Sequence, residues 1–238
     1  MRLNDGIETI GHRSGPGIRF DALIFDFDGV LIESEYVGNQ QVAEYLTGLG
    51  HPTSVEQALK QFVGLNGPQF LLAIEAHADG RIPDGFVDRR KAQSVQALRE
   101  GVAAVAGAVE FVNDLPPSLP RAVASSSSTA WLRGHLAHLG LVDAFGDHVY
   151  SGGEHVARGK PAPDLYLHAA DRLGVDIVRC VILEDSEVGV TGALASGATV
   201  IGLVAGSHCF DGHADTLRSL GVEHIANSFD EVRALLAL

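Results

Sequence analysis

Short apolar runs recur along the chain, each followed by a stretch with helical spacing. The first, RFDALIFDF at residues 19–27, stops at Asp28-Gly29, and others lie at 122–124, 181–183 and 199–203. Short runs that are apolar on both faces suit buried parallel strands, because helices cover both sides of such a sheet. Their alternation with helical stretches predicts a βαβ rhythm. Beyond 203 the pattern weakens to a loop at 205–208, a helix at 214–220, an edge strand at 224–226 and a closing helix at 230–238.

Residues 34–98 break the rhythm. Amphipathic stretches at 37–46, 55–63, 68–78 and 86–98 follow one another with no strand between them, separated by Gly- and Pro-containing turns. Pro116, Pro117 and Pro120 must end the helix that contains 109–115. The pattern predicts a doubly wound parallel α/β core at 18–33 and 101–238 with an all-helical domain inserted at 34–100. Residues 1–17 contain no apolar run and read as a flexible leader, neither a signal peptide nor an anchor.

Composition narrows the partners. The 238 residues are 46% hydrophobic, enough for a substantial core, and carry a formal charge of −13. Seventeen Lys and Arg against thirty Asp and Glu give no basic footprint for nucleic acid, and acidic charge repels anionic lipid. Cys180 and Cys209, the two cysteines, lie far apart, which suits a reducing compartment and excludes a cysteine-built zinc site. With no apolar stretch of membrane-spanning length, a cytoplasmic location is expected.

Four segments with chemical potential fall at predicted strand ends or in the loops beyond them, where open parallel sheets bind ligands. In Asp26-Phe27-Asp28-Gly29 the two carboxylates are two residues apart and point the same way on an extended strand end. One can attack phosphorus while the other handles the leaving group's proton. A carboxylate needs a cation to approach a phosphate dianion, and the adjacent acids Glu184 and Asp185 after the third apolar run can supply one. Hard oxygen donors suit Mg²⁺. Ser125 and Ser126, in a run of four serines after the second run, can form an anion cradle or simply cap a helix. Lys160, in the proline-stiffened Gly159-Lys160-Pro161-Ala162-Pro163-Asp164, can hold both a phosphate and Asp26, or stand exposed in a turn.

Taken in order, FDFDGV, ASSS, GKPAPD and LEDS resemble the haloacid dehalogenase superfamily, in the branch with a helical cap between the first two motifs, which includes β-phosphoglucomutase and many sugar-phosphate phosphatases. The resemblance spans about residues 20–204. It implies that Asp26 is the nucleophile and that Asp28 protonates the leaving oxygen and then activates water. It further implies that Ser125, Ser126 and Lys160 bind phosphate, and that Asp185 with Asp26 and the Asp28 carbonyl holds Mg²⁺, with Glu184 supporting the metal shell. The expected activity is hydrolysis of a small phosphomonoester, a sugar phosphate or phosphorylated sugar acid, by a monomer or small homo-oligomer.

A phosphohexomutase is the alternative enzyme, and a non-catalytic binding protein on the same fold the remote one. Gly38 stands where the mutases carry a cap histidine, and residues 63–67 offer no cation for a distal phosphate, both of which lower the mutase reading. Asn66 is the candidate in the cap for reading the leaving group. Arg89, Arg90 and Lys91 read first as a solvated helix face and alternatively as residues that attract an anionic substrate, His135, His138 and His168 as surface residues, and His155 as a residue able to approach the site.

Overall fold

The computed structural model describes residues 17–63, 65 and 67–238. All of the leader but Gly17 lies outside the described residues, as does Asn66.

In chain order the elements are β1 (Ala22–Phe25), four helices α1 (Ser34–Gly48), α2 (Val55–Phe62), α3 (Gly67–His77) and α4 (Phe86–Glu100), then α5 (Ala108–Asp114) and β2 (Arg121–Ser125). Next come α6 (Thr129–Leu139), α7 (Val142–Phe145), β3 (Val149–Ser151), α8 (Asp164–Leu173), β4 (Cys180–Glu184) and α9 (Glu187–Ser196). The chain closes with β5 (Thr199–Leu203), α10 (His213–Ser219), β6 (His224–Ala226) and α11 (Phe229–Leu236). The six strands are parallel in the order β3-β2-β1-β4-β5-β6. The chain first builds outward from β1 through β2 to β3, then returns to the other side of β1 with β4. The direction of winding thus reverses between β1 and β4, and a crevice opens there at the carboxyl ends of the strands.

Side-chain alternation on β1 explains why the sheet is covered on both faces. Leu23, Phe25 and Phe27 join a core that also holds Phe111, Leu132, Phe145 and Phe229. Ala22 and Ile24 face a second core with Leu165, Tyr166, Val190 and Leu217. The apolar run at 19–27 is therefore longer than its strand, since β1 ends at Phe25 and the chain leaves the sheet at the residues that carry chemistry.

The inserted helices have their own core of Val42, Leu46, Phe62, Ile74 and Phe86. Ser54 starts α2 with a reciprocal capping box to Gln57, which satisfies two otherwise unpaired backbone donors. The two linkers to the insert run side by side, with Glu33 N donating to Ala103 O at 2.9 Å. On the core side, His138 Nε2 of α6 donates to Leu98 O of α4 at 2.9 Å. β3, in which Val149 pairs with Val123, is a strand that the apolar-run pattern does not predict.

Candidate active site

The register of the central strands sets the geometry. Phe25 pairs with Leu183, so Asp26 and Glu184 follow at matching levels, and Asp26 N donates to Leu183 O at 2.9 Å. The donor atoms of Asp26, Glu184 and Asp185 lie within 4.8 Å of one another, and all three residues are buried. Lys160 reaches this cluster from the loop before α8, its Nζ donating to Asp26 Oδ1 at 2.5 Å and to Glu184 Oε1 at 2.7 Å. The lysine side chain is only 4% exposed, which removes the reading of Lys160 as a solvent-facing turn residue.

The three acids do different work. Glu184 is saturated: Oε1 also accepts from Tyr166 Oη at 2.9 Å, and Oε2 accepts from the backbone N–H of Asp185 and Ser186 and from Ser186 Oγ. Burial raises its pKa, but the charge and hydrogen bond of Lys160 outweigh this and keep it below the usual carboxylate range. A side chain at Gly189 would overlap the Glu184 carboxylate, so α9 can pass this close only with glycine there. Asp185 is the opposite case, because both of its carboxylate oxygens are buried and neither accepts a hydrogen bond from the described residues. His208 Nε2 comes within 2.7 Å of Asp185 Oδ2, but off the line a ring N–H needs to donate. Burial, then the charge of Glu184, pushes the Asp185 pKa well up. Burial likewise pushes Asp26 well up, against the pull of Lys160.

An unpartnered buried carboxylate beside two others is costly by itself, and hard oxygen donors in this number fit a divalent cation. Gly29 helps to keep the space compact: its φ is 84°, and a Cβ there would collide with Asp185 and His208.

Asp28 turns away from these acids. Its Oδ1 accepts from Ser34 Oγ at 2.6 Å and Trp131 Nε1 at 3.0 Å, and its Oδ2 from Ser127 Oγ at 2.6 Å and, more weakly, Ser125 Oγ at 3.4 Å. These donors come from the first turn of α1, the end of β2, the loop that follows it and the first turn of α6. Ser128 is the N-cap of α6, accepting from Trp131 N, so the serine run both caps the helix and surrounds Asp28.

Core and insert enclose a cavity of about 520 Å³, lined by Asp26, Asp28, Ser125, Ser126, Lys160 and Asp185 on the core side. Ser126 reaches it as an exposed residue, while Ser125 is buried. From the insert the lining includes Glu35, Gly38, Phe70, Arg90 and Gln93.

Several expectations from sequence need correction. Arg90 is not on a solvated face. It is half-buried in the cavity wall, with Nη1 donating to Gly38 O and Gln93 Oε1, while Arg89 and Lys91 beside it are exposed. His135 is fully buried under the Trp131 ring, with no partner at either ring nitrogen among the described residues, and burial lowers its pKa. His155 is exposed, stacks near Tyr150 and accepts from Ser151 N, away from the cavity. Ser34, Ser127, Trp131, Tyr166 and His208 are the participants that the motifs alone do not single out. Of these only Ser127 lies inside a recognised motif.

A haloacid dehalogenase-like hydrolase family model matches residues 20–197. The chain belongs to that family and is a phosphoric monoester hydrolase. Fructose-1-phosphate phosphatase YqaB of Escherichia coli K12 is 31% identical over 187 residues, covering 77% of this chain and 96% of that protein. Hexitol phosphatase A of the same organism is 28% identical over 218 residues, covering 90% and 94%. The crystal structure of a conserved haloacid dehalogenase-like protein of unknown function, ATU0790 from Agrobacterium tumefaciens, superposes with a TM-score of 0.84 at 35% identity, covering 92% of this chain and 98% of that one. Among the described residues no helix is long and apolar enough to cross a membrane.

Proposed function

We propose that the chain hydrolyses a sugar phosphate or phosphorylated sugar acid through a phospho-Asp26 intermediate, with Mg²⁺ held by Asp26, Asp185 and the Asp28 carbonyl. One observation carries this reading. Asp26 lies at the floor of the cavity between Lys160 and the unpartnered Asp185, and Asp28 hangs over the same cavity. The names of the relatives YqaB and hexitol phosphatase A support a sugar or polyol leaving group.

When bound, the cation neutralises charge between the acids and the phosphate, so that an anionic nucleophile can approach. A carboxylate oxygen of Asp26 bonds to phosphorus as the bond to the leaving oxygen breaks, and Asp28 gives its proton to that oxygen. Lys160 offsets the charge on Asp26 and on the transferring group, while Ser125, Ser126 and nearby backbone N–H groups cradle the phosphate. In the second half, Asp28 takes a proton from water, the water oxygen bonds to phosphorus, and the bond to Asp26 breaks to release phosphate and restore the carboxylate. Glu184 does not enter these steps directly. Its five hydrogen bonds keep Lys160, the Asp185 backbone and Ser186 in place.

Asp28 is held by four donors in the absence of substrate, and Ser34 among them belongs to the insert. A substrate must draw Asp28 Oδ2 off its serine donors toward its leaving oxygen, while Trp131 keeps hold of Oδ1. The insert shields that step from bulk water, which argues against large protein or nucleic-acid substrates. A panel of sugar phosphates assayed for phosphate release with Mg²⁺, with Asp26→Asn as control, tests the reading. Equal release by the variant overturns the nucleophile. Isomerisation of glucose 1-phosphate in the presence of its bisphosphate, without phosphate release, replaces hydrolysis with the mutase reaction.

A further inference from the structure

Two cations line the cavity among the described residues, Lys160 on the core side and Arg90 on α4. Lys160 is fully engaged with Asp26 and Glu184. Arg90 is not neutralised in this way. Its Nη1 donates to two neutral acceptors, Gly38 O at 3.2 Å and Gln93 Oε1 at 3.2 Å, and the guanidinium lies 5.9 Å from the Phe70 ring centroid. No ion pair among the described residues includes it.

A half-buried guanidinium whose hydrogen bonds go to neutral acceptors has lost hydration without gaining a hydrogen-bonded counter-ion, and the charge of Glu35 reaches it only from beyond ion-pair distance. Its planar fork matches carboxylate and phosphate oxygens in pairs. Glycine at position 38 keeps the facing wall of α1 open, since even a Cβ there would lie 3.5 Å from Arg90 Nη2 and a longer side chain would compete for that space. Glu35, the nearby carboxylate on α1, makes no ion pair with Arg90 among the described residues; its Oε2 accepts weakly from Asn39 Nδ2 at 3.4 Å instead.

We propose that Arg90 reads a second anionic group, a carboxylate or second phosphate, on the leaving-group side of the substrate. The cavity of about 520 Å³ is within the range that holds a sugar-sized ligand. This inference rests on the phosphatase reading of the same site and sets its substrate class: phosphomonoesters with a second negative charge.

The test is calorimetric titration of Asp26→Asn protein with Mg²⁺, which removes turnover, using matched pairs of ligands. 6-Phosphogluconate against sorbitol 6-phosphate isolates a carboxylate, and fructose 1,6-bisphosphate against fructose 6-phosphate isolates a second phosphate. The member of one pair that carries the second anionic group is expected to bind about tenfold tighter or more, and adding Arg90→Gln is expected to collapse that ratio to about threefold or less. The pair that responds identifies the anion. Arg90→Lys, which keeps the charge and loses the fork, is expected to give an intermediate ratio and serves if the glutamine variant does not fold. Ratios unchanged across the three proteins, or members without the second charge binding as tightly with Arg90 present, overturn the inference. Phosphate release by the wild type with ratios indifferent to Arg90 defeats only this inference. Ratios that depend on Arg90, without phosphate release from any ester, defeat only the hydrolytic reading.

Discussion

Trp131 Nε1 donates a hydrogen bond of 3.0 Å to Asp28 Oδ1, tying the acid/base carboxylate proposed here to α6. The same helix supports α4 of the insert through His138 and Leu98, so the carboxylate and the cap share one support. Ser34, at the start of the insert, donates to the same oxygen.

Trp131→Phe keeps an aromatic ring at this position and removes the donor. The expected result is a drop in kcat of about tenfold with KM changed much less, because the loss concerns the aim of Asp28 and not the grip on phosphate. Steady-state kinetics on any accepted ester measures it. Trp131 is also the sole tryptophan of the chain, so its fluorescence should change when phosphate or vanadate fills the cavity.

Glu35 makes stability depend on pH. Its folded pKa, about 7, exceeds the ordinary value of 4.5, so between those values the unfolded chain gives up the proton more readily than the folded one. Stability contributed by the protonated form is present below about pH 4.5 and lost as pH rises toward 7, by up to about 3 kcal/mol. Glu35→Gln should flatten this part of the stability curve and leave the protein more stable than wild type above pH 7. Urea denaturation from pH 4.5 to 8 in the presence of a chelator checks both. A wild-type curve matching the glutamine variant at every pH contradicts the assignment.

The parts of the site that lie on strand ends were legible in the sequence, and the parts that depend on helix orientation were not. Asp26 and Asp185 follow short apolar runs, and neighbouring parallel strands bring such positions together whatever the details of the loops. Lys160 was legible as a motif, but its depth of burial was not. Arg90 was misread because one rotation step on a polar helix separates the cavity wall from solvent, and Arg89 and Lys91 do face solvent. His208 lies in the loop after β5, where the apolar pattern weakens, so nothing local distinguishes it from a loop histidine. β3 spans only three residues and owes its conformation to pairing with β2, which no periodicity of its own announces.

Metal dependence is expected to show in stability as well as rate. Ligand linkage gives about 2.7 kcal/mol at a cation concentration of about 100 times Kd, which for a chain of this size corresponds to a rise in Tm of about 5–10 °C over chelator-treated protein. Asp185→Asn should abolish that rise. The variant should also melt higher than chelator-treated wild type, because it replaces a buried carboxylate that accepts no hydrogen bond and crowds Asp26 and Glu184 with a neutral amide. A full Mg²⁺ shift in the variant places the ion elsewhere.

Asp26 is expected to become covalently phosphorylated during turnover. Rapid acid quench of enzyme mixed with a turned-over sugar phosphate and Mg²⁺, followed by peptide mass spectrometry, measures it directly. One phosphoryl group is expected on the peptide containing Asp26, absent in Asp26→Asn and absent without divalent cation. Phosphate release at full rate with no phosphorylated peptide, or a phosphoryl group on another residue, would contradict that expectation.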